Sequence, residues 1–134
     1  MRVTNWESKL NDYIDEIRFK PFEYGTNDCC IFTIKAQKII TGDTLFPEFD
    51  GTYSTLEEGK EILKKLGFKS WIAGCNARLK KINLNFASRG DVVSMRTLDS
   101  FAMGLCMGRI GVFVSEKGIV SIPREDLKLA WRID

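Results

Sequence analysis

The chain has 134 residues, enough to bury one core and too few for two independent ones. Hydrophobic residues make up 44% and charged residues 28%, without a low-complexity tract or an internal repeat, which excludes a disordered chain and a repeat array. Twenty Lys and Arg against eighteen Asp and Glu leave a net charge of +2 spread along the chain, so nucleic acid is a poor candidate partner.

The densest basic run, Arg78, Lys80 and Lys81, alternates with Leu79 and Ile82 and reads as a solvated face. No run reaches the roughly 18 apolar residues of a membrane helix, and Asn5, Glu7, Ser8 and Lys9 interrupt any signal-peptide core. The expected location is therefore the cytoplasm or a particle assembled there, without a membrane span.

Thr4 and Glu7 have the spacing of a capping box, and Trp6, Leu10, Ile14 and Ile17 repeat at helical spacing, which predicts an amphipathic helix over 5–18. An aromatic loop of Phe19, Phe22 and Tyr24 follows. Asn27 or Asp28 then caps a second helix whose inner face carries Cys29, Phe32, Ala36 and Ile39, and Gly42 ends it. Residues 43–53 read as a loop containing two lone phenylalanines. Ser54 with Glu57 opens a third helix, marked by Leu56, Ile62, Leu63 and Leu66, that stops at Gly67.

Beyond Phe68 the pattern becomes short apolar runs at 69–73, 91–95, 101–107, 110–114 and 119–122, expected as antiparallel strands. Residues 75–82 and 123–127 are expected as helical turns. Helices first and strands second define an α+β domain, with N-terminal helices packed on a C-terminal antiparallel sheet.

Four cysteines, Cys29, Cys30, Cys75 and Cys106, occur without a CxxC pair or any histidine, so no metal site or cofactor is expected; adjacent Cys29 and Cys30 rarely bridge and a cytoplasmic product keeps its thiols reduced, so no disulfide is expected either. Cys29 has the most suggestive place. At a helix start the free amides and the dipole favour a thiolate, which is how papain-like enzymes hold their nucleophile.

The segments Pro21-Phe22-Glu23-Tyr24-Gly25, Asp28-Cys29, Arg89-Gly90-Asp91-Val92-Val93 and Ala102-Met103-Gly104-Leu105 follow in the order of the NlpC-type papain-like superfamily. With Tyr53-Ser54 and the ending Ala130-Trp131-Arg132, the chain most resembles small phage-encoded proteins of that superfamily. The resemblance spans nearly the whole sequence and implies a papain-like fold with Cys29 as the nucleophile.

It also implies what is lost. The position of the catalytic histidine matches Ala102, and the tyrosine often found ahead of the first glycine matches Phe22. Ser115 is a weak candidate for the orienting residue. Without a general acid and base, rates fall by roughly 10²- to 10⁴-fold, and amide hydrolysis suffers most.

The resemblance therefore implies an inactive domain serving as a virion or tail-associated binding part. Phe22, Tyr24, Ala102 and Asp91 would line its groove, and its partners would be other phage structural proteins or cell-wall peptide. The alternative is a thiol hydrolase or acyl transferase in which Cys29 attacks a thioester or wall peptide and Asp28 or Asp91 handles protons. A regulatory or immunity protein unrelated to virions is a third possibility. Each residue also has a plainer reading: Cys29 as packing, Asp28 as a helix cap, Asp91 as a turn residue bonding local amides.

Overall fold

The computed structural model describes residues 1–134. Four helices, α1 (Trp6–Ile17), α2 (Cys29–Thr41), α3 (Leu56–Lys65) and α4 (Trp71–Arg78), precede six strands. These are β1 (Lys80–Ile82), β2 (Val92–Arg96), β3 (Phe101–Cys106), β4 (Ile110–Ser115), β5 (Gly118–Pro123) and β6 (Leu127–Arg132). The strands form one antiparallel sheet in the order β1-β6-β2-β3-β4-β5. The expected α+β class is therefore the observed one.

Strand alternation divides the apolar residues between two faces. Val92, Met103, Leu105, Val112 and Trp131 face the helices and join Leu10, Ile14, Ile31, Phe32, Ile34 and Ile40 in the larger core. Val93, Cys106, Phe113, Leu127 and Ala130 form a smaller cluster on the other face. Helix α2 lies deepest, with Ile31, Phe32, Thr33, Ile34, Ala36, Gln37 and Ile40 all buried, so Cys29 and Ile39, expected on its inner face, are only half-buried. Its ends follow the sequence, from the Asp28 cap to Gly42 in the left-handed region at φ 89°.

The expected capping box at Thr4 does not form. Asn5 takes the cap position at φ 62° without a side-chain hydrogen bond, because Val3 N–H is already tied to Ile40 O (2.8 Å) and fixes how the chain enters α1. The box expected at Ser54 and Glu57 sits one residue later. Thr55 accepts from Glu58 N–H (3.1 Å), and the Glu58 carboxylate accepts from Ser54.

Residues 69–73 are not a strand. Ser70 Oγ accepts from Ala73 N–H (3.1 Å) and starts α4, whose Trp71 packs on Phe46 and Phe49 at centroid distances of 4.6 and 5.0 Å. A five-residue apolar run has no readable period, and tertiary packing decided it. The two phenylalanines of 43–53, Phe46 and Phe49, are thus core residues, the first preceding and the second ending the 3-10 turn Pro47–Phe49. In the segment expected as one helical turn, 75–82, α4 ends at Arg78 and β1 begins at Lys80. Arg78 is not part of a solvated face: it makes a two-pronged ion pair with Glu48 (2.7 and 2.8 Å) over the rings of Phe46 and Phe68.

β6, read only as a sequence ending, lies inside the sheet between β1 and β2. The register shifts between Ser94 and Met95, so Leu127 and Ala130 share a face although three residues apart. That bulge removes the period-2 signal.

The termini are held by Asp91, which is fully buried. Its carboxylate accepts from Arg2 (2.9 Å), Ser88 N–H (2.9 Å) and Ile133 N–H (3.1 Å), and Arg132 lies at ion-pair distance of 3.3 Å. No helix is long and apolar enough to cross a membrane.

Candidate functional site

The start of α2 is built around one carboxylate. Asp28 is buried and accepts three hydrogen bonds, from Ile31 N–H (2.7 Å), Gly25 N–H (2.8 Å) and the Tyr53 hydroxyl (2.5 Å). Gly25 is required twice over. Its φ is 83°, and a Cβ there would lie 1.8 Å from the Tyr53 carbonyl oxygen. The Gly-x-x-Asp-Cys segment and Tyr53 are therefore one unit that fixes where α2 begins.

Cys29 follows as the first helical residue. Its thiol is held below the ordinary value, first by a hydrogen bond from the Cys30 thiol and then by the amides of Met103 and Cys29 itself. Burial and the charge of Asp28 act in the opposite direction. The proton is correspondingly retained on Cys30, which is raised by its bond to Cys29 and by burial, while burial pushes Cys75 up to about 12. Burial, followed by the bond to Asp28, also raises the Tyr53 hydroxyl, which stays a donor at neutral pH.

Cys29 opens onto a cleft of ≈ 850 Å³. Phe22 and Tyr24, packed edge to face at 4.9 Å, form one wall, and Phe22 N–H is anchored to Ser115 O (3.0 Å). α3 forms another with Leu56, Lys60, Leu63 and Lys64, and Phe68 and Trp71 lie beyond. Of the residues singled out in the sequence, Asp28, Cys29, Phe22 and Tyr24 are thus gathered together.

Ala102 and Asp91 are not. Ala102 packs against the smaller cluster on the far face of the sheet, and the β3 residue that meets Cys29 is Met103, through its amide. Ala102, expected to line the groove, therefore lies on the wrong side of the sheet for it, since in a strand one residue reverses the face. Asp91 does not line the cleft, because its carboxylate is committed to the chain termini. Ser115 is no orienting group either: its hydroxyl donates to Gly118 O (2.7 Å) and accepts from Lys117 N–H in the β4–β5 turn.

Sequence reasoning missed α3 as a wall and Tyr53 as the partner of Asp28. A signal for α3 was present: Leu56, Lys60, Leu63 and Lys64 share one helical face, yet the helix has no fully buried residue. A helix with an apolar stripe that is not buried leaves that stripe facing a cleft.

The arrangement holds a thiol with a lowered pKa in an apolar groove, with no imidazole in the chain and with its neighbouring carboxylate already accepting three hydrogen bonds. The class defined by fold and site is a small α+β domain with a helix-start cysteine in a cleft. The chain belongs to the family described as a domain of unknown function, DUF6950, whose model matches residues 1–133. No curated protein matches it.

Proposed function

We propose that this chain is a phage-encoded, NlpC-type papain-like domain that has lost catalysis and uses the cleft beside Cys29 to bind. Its setting is the virion or tail, and its partner is another phage structural protein or, failing that, cell-wall peptide. The motif order from Gly25 to Trp131 supports the family part of this reading.

The observation that carries loss of catalysis is the surroundings of the thiol. Met103, which cannot move a proton, meets Cys29 on β3, and Asp28 already accepts three hydrogen bonds that hold it as a helix cap. Peptide cleavage needs a group that takes the thiol proton and returns it to the departing amine. The test compares wild type with Cys29→Ser on wall-type peptides, alongside mass spectrometry of purified particles. We expect no Cys29-dependent amide cleavage and recovery of the chain with the particle; Cys29-dependent cleavage, or absence from particles, overturns the reading.

The lowered Cys29 thiol favours a second reading, acyl transfer from a thioester. The Cys29 thiolate would attack the carbonyl carbon, the bond to the leaving sulfur would break to give a thiolate needing no proton, and water or an amine would later take the acyl group. Trapping of an acyl group on Cys29 by incubation with a thioester distinguishes it from the first.

A further inference from the structure

The exposed charged side chains of the cleft are all lysines. Four charged residues line it, Asp28, Lys60, Lys64 and Lys69, and Asp28 is buried and spent on its three hydrogen bonds. The acids of α3, Glu57, Glu58 and Glu61, do not line the cleft. Between the lysines the surface is apolar, made of Leu56, Leu63, Phe68 and Trp71 beside Phe22 and Tyr24. Leu56 and Tyr24 are more than one-third exposed.

Several of the wall's other polar groups are engaged, while Trp71 Nε1 has no partner. Tyr53 donates to Asp28, Ser70 Oγ caps α4, and Ser100 N–H donates to Thr97. An extended peptide lying here would leave its own N–H and C=O groups without partners, at a cost of roughly 1–3 kcal/mol each if buried. A helix bonds its backbone internally and brings only side chains to a groove.

Resting on the reading of this cleft as a binding site, we infer that its occupant is an acidic amphipathic helix of a partner protein. Apolar side chains at helical spacing would enter between α3 and the Phe22–Tyr24 wall, and flanking Asp or Glu would meet Lys60, Lys64 and Lys69. Rim charges of this kind set orientation and association rate more than affinity, so binding weakens with salt.

The test is a yeast-displayed library of about 20-residue helices with a fixed apolar stripe and flanking positions drawn equally from Glu, Lys and Ser, long enough to be helical. It is selected against the full-length protein. Selected sequences should favour Glu over Lys, and the double variant Lys60→Glu/Lys64→Glu, or Leu63→Asp, should weaken them roughly tenfold. Lys65→Glu, on the same helix but outside the cleft, should change nothing, and all three variants should keep wild-type circular dichroism. Binders without an acidic bias, or equally sensitive to Lys65→Glu, overturn the inference. Two further probes, dodecanoate and a proline-interrupted acidic peptide, are followed by NMR shifts at Leu63 and Trp71. If either occupies the cleft and no helix does, this inference fails and the binding reading stands; if no probe binds, both fall.

Discussion

The Tyr53 hydroxyl donates to the carboxylate of Asp28 across 2.5 Å, joining the segment ahead of α3 to the first turn of α2. One carboxylate thereby caps a helix, closes the Gly25 turn and positions the cleft wall.

Removing either partner should destabilise the fold unequally. Tyr53→Phe leaves Asp28 with two donors and should cost about 1–2 kcal/mol; Asp28→Ala loses the cap and strands two donors, and should cost about 2–4 kcal/mol. Urea denaturation measures both. The double variant should cost less than the sum of the two, as expected for residues in direct contact.

Gly25→Ala should prevent folding or cost more than about 3 kcal/mol, because a Cβ would meet the Tyr53 carbonyl at 1.8 Å. Gly51 is the control. It also has positive φ, 71°, but open space around it, so Gly51→Ala should cost only the backbone strain of about 1–2 kcal/mol. Equal costs would mean that the close approach is relieved elsewhere.

Iodoacetamide should alkylate Cys29 with a midpoint below the ordinary thiol value of about 8.5, while Cys75 stays unreactive until pH rises toward its folded value of about 12. Cys30→Ala should move the Cys29 midpoint upward, since the Cys30 hydrogen bond is the largest influence lowering it. Cys75 also makes a stability prediction. Its folded pKa is raised, so its contribution is complete below about 8.5 and is lost as pH rises from there to about 12, a slope that Cys75→Ala should reduce, leaving the share that Cys30, raised likewise, contributes above the same pH.

An imidazole introduced at Met103 should change Cys29, and one at Ala102 should not. Met103→His puts a base on the helix-facing side of β3 and should lower the Cys29 alkylation midpoint by about one unit through the opposite charge. Ala102→His, on the other face, should leave it unchanged. The reverse outcome would favour Ala102 as the position that the resemblance matches to a histidine.

Asp91→Ala leaves Arg2 and Arg132 facing a buried gap and should cost about 3–5 kcal/mol. Asp28 and the cleft lie elsewhere, so Cys29 reactivity measured below the unfolding transition should be unaltered.

Local chemistry made much of this protein legible. Helical spacing located α1, α2 and α3 to within a residue or two, the Asp28 side chain and the left-handed Gly42 bounded α2, and glycines or charges separated β2, β3, β4 and β5. Those signals belong to residues close in sequence, whose caps, turns and periodicity act wherever the chain sits. Cys29 at a helix start followed from the same kind of signal.

Tertiary structure decided the rest. Trp71 entered a helix because Phe46 and Phe49 are there to pack on it, and β6 took an interior place in the sheet although a bulge erased its alternation. Whether Ala102 or Met103 meets Cys29 depended on strand register, a choice between faces that neighbouring residues cannot make. Sequence alone established that no histidine exists to activate the thiol; only the fold showed that its carboxylate neighbour is already bound and that α3 closes an apolar, lysine-edged cleft beside it. Composition is complete in the chain, whereas contacts between Asp28 and Tyr53, 25 residues apart, exist only once the core has brought them together.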